Sequence, residues 1–125
     1  MIRGSGFTFS VPAGWKTSRS LRAITVRSGK SLVSVTTYTL LKPYRPALFG
    51  AAAKELDGVA AKLAAAAGAA VTEKQTVAVA GGKIRAYRFG STRIGFVLVR
   101  KREYQLLCEN PGEACTLLFK TFTVA

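Results

Sequence analysis

The sequence predicts an α+β fold, a mostly antiparallel sheet of six or seven strands covered by one long helix and a short C-terminal helix. Three observations carry this. Apolar and polar residues alternate with period two in both halves of the chain, apolar residues recur every three or four positions between them, and a helix-start signature follows the last alternating run. At 125 residues the chain reads as a single domain, with its core at about 6–125.

Phe7-Thr8-Phe9-Ser10-Val11 alternates as a half-buried strand does, and Pro12-Ala13-Gly14 turns the chain into Trp15, a large core anchor. Arg22 to Arg27 follows, with Ile24 and Val26 on one side, then a tight turn at Ser28-Gly29-Lys30. Ser31 to Leu41 is a third strand, rich in β-branched residues. Pro43 and Pro46 bracket an extended connection to a helix over Ala47 to about Ala67. Its apolar stripe is Leu48, Phe49, Ala52, Leu56, Val59, Ala60 and Leu63, and Gly68 stops it. Val71 to Val79 alternates again. Ala80-Gly81-Gly82 leads to Lys83–Phe89, and Gly90-Ser91 leads to Arg93–Arg100, which is apolar on both sides and therefore central. Arg100-Lys101-Arg102 is expected to be a turn before a strand over Glu103–Cys108. Asn110, Pro111 and Glu113 supply an N-cap, an N1 proline and a capping-box acid for a helix through about Lys120, with Ala114, Leu117 and Leu118 buried. Thr121 to Ala125 finishes as an extended tail.

Composition excludes several chemistries. There is no histidine, which removes imidazole metal ligands and a His base for a serine or cysteine nucleophile. The six acids are scattered: Glu55 and Asp57 do not face one another on a helix, and Glu109 and Glu113 suit the last helix's N-terminus. Ser28-Gly29-Lys30-Ser31 resembles the end of a phosphate-binding loop, but Ile24 stands where the first glycine belongs and a strand follows where a helix belongs. Gly4-Ser5-Gly6 lacks the flanking strand and helix of a dinucleotide site. The expectation is a protein that is not an enzyme, with no metal and no cofactor.

Nineteen Lys and Arg against six Asp and Glu give a formal charge of +13. Arg85, Arg88, Arg93, Arg100, Lys101 and Arg102 fall on successive strands or their turns. Of these, Arg85, Arg93, Arg100, Lys101 and Arg102 are the candidate contact surface for an acidic partner. Tyr87, Phe89 and Tyr104 nearby would suit phosphates or stacked bases, although alternation puts Arg85 and Arg88 on opposite sides. Cys108 and Cys115 flank the turn at Asn110-Pro111-Gly112. Paired, they indicate an oxidising compartment; otherwise they are two reduced thiols, one packed in a strand and one in a helix. No apolar signal segment precedes the first strand, and the Ala-rich run near Val59–Val71 is too short to span a bilayer.

The opening Phe7-Thr8-Phe9-Ser10-Val11-Pro12-Ala13-Gly14-Trp15 resembles the start of the PsbP-like superfamily. The ending is similar too, from Tyr104-Gln105-Leu106-Leu107-Cys108 through Leu117 to Val124, and the element order fits nearly the whole chain. That superfamily holds an extrinsic photosystem II subunit, a Ran-binding import factor and bacterial secreted proteins and lipoproteins. The resemblance implies an α/β/α sandwich and a non-enzymatic domain that binds or organises other proteins, often outside the cytoplasmic membrane. It transfers no site. The resulting expectation is a secreted or envelope-associated domain contacting an acidic protein or surface. The alternative is a nucleic-acid-binding module acting through its basic surface, and a minor third reading is an apolar-ligand carrier with a gap between sheet and helix.

Overall fold

The computed structural model describes residues 1–79 and 82–124. Its centre is a six-stranded antiparallel sheet in the order β3-β4-β5-β8-β7-β6, formed by β3 (Lys16–Arg19), β4 (Ala23–Ser28), β5 (Ser31–Tyr44), β6 (Glu73–Val79), β7 (Gly82–Phe89) and β8 (Thr92–Glu109). A smaller sheet in the order β1-β2-β9 combines β1 (Ile2–Gly4), β2 (Phe7–Phe9) and β9 (Thr123–Val124). The helices are α1 (Phe49–Ala66), entered through a 3₁₀ turn at Pro46–Leu48, and α2 (Glu113–Thr121). The α+β class follows directly from this arrangement.

Alternation along β7 and β8 explains why the large sheet is covered on both sides. Ile84, Ala86 and Val97 join one core with Leu118 and Phe119 of α2 and Phe7 and Phe9 of β2. Their neighbours Tyr87, Phe89, Ile94 and Phe96 join a second core with Leu56, Ala60 and Ala64 of α1. Successive strand side chains point to opposite faces, so α1 and α2 lie on opposite sides of the sheet. Phe7, Tyr104 and Phe122 form an aromatic cluster with centroids 5.2–5.8 Å apart. Trp15 is half-buried against the same core, as expected of an anchor.

Several expectations need correction. Arg100-Lys101-Arg102 is not a turn: β8 runs unbroken through it for 18 residues, so one strand stands where two were expected. Arg100 instead takes a left-handed conformation (φ 53°), and the pairing with β5 shifts register between Thr39 and Tyr44. This is the behaviour of a bulge. It flips the strand's side chains: odd-numbered Val97 and even-numbered Tyr104, Leu106 and Cys108 all face the α2 core.

β5 likewise continues past Leu41 to Tyr44, where Pro43 is tolerated within the irregular stretch. Edge strand β3 was not anticipated because all four of its residues are exposed, leaving no alternation to read. Asn110 is not the N-cap of α2; Gly112 is. Asn110 takes φ 52°, and its side-chain amide donates to the Lys30 carbonyl at 2.7 Å, tying the turn before α2 to the β4–β5 turn. On α2 the buried residues are Ala114, Cys115, Leu118 and Phe119, with Leu117 only half-buried. On α1 the buried stripe is Leu56, Ala60 and Ala64, while Leu48, Val59 and Leu63 are exposed. The turn expected at Ala80-Gly81-Gly82 falls partly on residues 80 and 81, outside the described residues.

Gly95 shows how closely α2 approaches the sheet. A Cβ there would lie 2.7 Å from Ile84 Cγ2 and 2.8 Å from the Phe119 ring, both buried and unable to retreat into solvent. Gly95→Ala is expected to destabilise the fold by about 1–3 kcal/mol through overpacking, read as a lower urea midpoint at unchanged slope. An unchanged midpoint would mean that α2 stands further from β8 than described.

Candidate functional site

The sheet's α2 side ends in a groove of about 500 Å³, where the β1–β2 hairpin meets the β3–β4 connection and the middles of β5 and β8. Its rim carries Arg3, Arg19, Arg22 and Arg102, and among the described residues no carboxylate lines it. Strand pairing within the large sheet brings Arg102 toward Arg19 and Arg22, and the small sheet adds Arg3 beside them. Arg3 sits on β1 opposite Thr8 of β2, Arg19 on β3 opposite Ile24, and Arg102 on β8 opposite Thr39 of β5. Arg22 lies in the connection closed by the bond from the Ser20 amide to the Ala23 carbonyl.

Two of these guanidinium groups are held in place. Arg19 Nη1 donates to the Arg3 carbonyl at 2.8 Å. Arg102 Nη1 donates to the Ser5 carbonyl at 2.8 Å and to Ser5 Oγ at 3.2 Å. Gly6 makes the second contact possible: it takes φ +82°, and a Cβ there would sit 2.7 Å from both Arg102 Nη1 and the Tyr104 hydroxyl. A guanidinium has five N–H donors in a planar fork, so each pinned arginine keeps donors for a carboxylate or phosphate arriving from solvent. All four arginines are exposed.

The chain matches no protein-family model and no curated protein.

The five cations singled out from the sequence do not share one face. Arg85 lies under α1, its side chain only 17% exposed, with its guanidinium on both oxygens of Asp57 at 3.0–3.3 Å and on Thr76 Oγ1 at 3.1 Å. Arg93 lies on the opposite face, its guanidinium 3.9 Å from the Phe119 ring centroid. Burial, and then the charge of Arg88, lower its pKa from the ordinary arginine value. Arg100 and Lys101 are exposed at the β8 bulge. Arg102 alone enters the groove. The aromatic neighbours Tyr87, Phe89 and Tyr104 are buried, so they offer no open ring for a base to stack on.

Arg19 and Arg22 lie three residues apart in the sequence, but nothing local joins them to Arg3 or Arg102, which reach them only through the folded sheets. The Arg85–Tyr87–Asp57 network was half-legible: residues two apart on a strand share a face, but the helix partner could not be read. Tyr87 donates its hydroxyl to Asp57 Oδ1. Burial, and then that hydrogen bond, push the Tyr87 pKa up to about 12. For Asp57, burial alone raises the carboxyl's pKa, but the hydrogen bonds from Tyr87 and Arg85 and the charges of Arg85 and Lys74 together bring it below 3.8. The network fastens α1 to β7.

Among the described residues, ion pairs engage only Asp57 (with Arg85 and Lys74) and Glu73 (with Arg88). No group of three or more acid or sulfur side chains suited to a metal occurs among them, and no helix among them is long and apolar enough to cross a membrane. Cys108 and Cys115 are joined in a disulfide.

Proposed function

We propose that this chain is a small PsbP-like binding domain, non-enzymatic and secreted or envelope-associated, that uses its arginine groove to hold an acidic protein or surface. One observation carries the reading: four arginines from three stretches of the chain (Arg3, Arg19 with Arg22, and Arg102) converge on one groove that no carboxylate lines among the described residues, two of them oriented by backbone carbonyls. Oriented guanidinium forks suit carboxylates held bidentately. The buried disulfide supports an oxidising compartment. Helices on both faces of the sheet are compatible with the PsbP-like sandwich. With Tyr87, Phe89 and Tyr104 buried, exposed Tyr38 is the one open ring lining the groove among the described residues, which favours an acidic polypeptide over a single-stranded nucleic acid stacking successive bases on several rings.

The test compares a short polyglutamate peptide with a single-stranded oligonucleotide of matched charge, by fluorescence anisotropy at about 50 and 200 mM salt. The peptide is expected to bind at both salts, and Arg19→Gln/Arg22→Gln/Arg102→Gln is expected to weaken it about tenfold or more without changing the melting midpoint. Oligonucleotide binding that exceeds peptide binding and survives the higher salt would establish the nucleic-acid alternative instead. Peptide binding unaffected by the triple substitution would move the contact surface away from the groove.

A further inference from the structure

On the other side of the sheet, the first two turns of α1 are packed less deeply than the rest of the helix. The helix buries Leu56, Ala60 and Ala64 and nothing earlier. Ala60 and Ala64 pack on the buried aromatic and aliphatic side chains of β7 and β8, whereas Phe49, at the start of the helix, is only half-buried over the sheet. Between them lies a cleft of about 440 Å³, within the size range of small-molecule sites. Phe96 forms part of its wall and is 3% exposed, joined by Phe49, Leu56 and Leu98.

The polar part of the lining has one sign. Lys83, Arg85 and Arg100 border the cleft, and among the described residues no carboxylate does. Asp57 already answers Arg85, which leaves two cations without an ion-pair partner among the described residues. Lys83 is poised at the opening, its ammonium 5.0 Å from the centre of the Phe49 ring. Arg100 is placed there by the β8 bulge, the one irregularity that the strand's pairing with β5 shows on this stretch. A neutral apolar ligand would leave those cations unused, and a polyanion would gain nothing from the aromatic and aliphatic walls.

We infer that this cleft binds a fatty carboxylate, its chain between Phe49, Leu56, Phe96 and Leu98 and its acid head at Lys83 and Arg100. The site is separate from the arginine groove and lies across the sheet from it, so it stands or falls independently of the acidic-partner reading.

Isothermal titration with dodecanoate below its micellar range tests this, with 1-dodecanol as the uncharged probe of the same chain length. Dodecanoate is expected to bind at one site per chain and dodecanol about tenfold more weakly. Lys83→Gln/Arg100→Gln changes two exposed positions, so the fold is expected to survive, and it should weaken dodecanoate about tenfold while leaving dodecanol unchanged. Leu98→Trp, which fills the cleft, should abolish binding of both. Arg19→Gln/Arg22→Gln in the groove should change neither. Equal affinity for the two probes, indifference to Lys83→Gln/Arg100→Gln, loss on altering the groove, or no saturable binding of dodecanoate would each overturn the assignment.

Discussion

Replacing Cys108 and Cys115 together by alanine is expected to lower the melting midpoint by about 10 °C. The two cysteines are seven residues apart, and closing so short a loop removes unfolded-state freedom corresponding to about 2–3 kcal/mol. At a few degrees per kcal/mol for a domain of this size, that gives the shift stated. The location makes the bond matter more than a surface staple would. It joins the end of β8 to the first turn of α2, a helix of nine residues whose N-cap Gly112 makes no side-chain hydrogen bond. A helix that short does not hold itself in water. It is kept by packing of Leu118 and Phe119 and by the link at Cys115. Both sulfur-bearing residues are nearly inaccessible, at 0% and 2% exposure, so alkylation of the folded protein in mild reductant should label neither cysteine. Differential scanning calorimetry reads the midpoint and mass spectrometry the labelling. An unchanged midpoint in the double variant would show that packing alone holds α2.

What the sequence made legible, and what it did not, follows from how each element is buried. Strands with one face in the core announce themselves: Phe7 and Phe9, Ile24 and Val26, Val33 and Val35 are the buried positions and also the alternating ones. Strands without a buried face are silent, as Lys16–Arg19 shows. At the edge of a sheet, charged residues there discourage pairing with another chain, and the feature that protects the edge also hides the strand. The run at Arg100-Lys101-Arg102 misleads for a different reason. Three cations between apolar stretches look like a turn, and the apolar phase does change there, but a single left-handed residue changes it without ending the strand. The stripe of α1 was legible in part: Leu56 and Ala60 are buried as expected, while Leu48, Val59 and Leu63 are exposed and Ala64 is buried instead. With alanines on several sides of the helix, hydrophobic contrast is weak, and packing decides which of the flanking positions turn inward. The arginine groove lies beyond local reading, because Arg3 and Arg102 come from opposite ends of the chain and meet Arg19 and Arg22 only in the folded structure.

The second large effect is expected at Asp57. Asp57→Ala leaves the Arg85 guanidinium, 17% exposed under α1, without its carboxylate and the buried Tyr87 hydroxyl without its acceptor. Stranding a charge and a hydroxyl together in a partly desolvated place should cost about 2–4 kcal/mol. Lys74 contributes little to this, because its contact is longer at 3.7 Å and its side chain is 61% exposed. Removing both partners, as in Asp57→Leu/Arg85→Leu, should recover much of the loss, since a well-packed apolar pair replaces an ion pair without leaving either charge alone. The pH dependence carries a separate signature. Tyr87 is held in its neutral form, with its pKa raised from 10.0 to about 12. A raised pKa means the folded state keeps its proton more tightly than the unfolded one. The associated stability is therefore complete below pH 10 and disappears as the pH climbs toward 12, to the extent of about 2–3 kcal/mol. Asp57 acts at the opposite end: its pKa is lowered from 3.8, so its contribution is present above that value and fades as the solution becomes more acidic. Tyr87→Phe isolates the alkaline limb. Urea midpoints measured from pH 9 to 12 should fall more steeply for the native chain than for Tyr87→Phe, the two curves converging as the native tyrosine ionises. Parallel curves would mean that Tyr87 titrates as an ordinary tyrosine and that its hydroxyl is not committed to Asp57, leaving Arg85 as the sole fastening between α1 and β7 in that network.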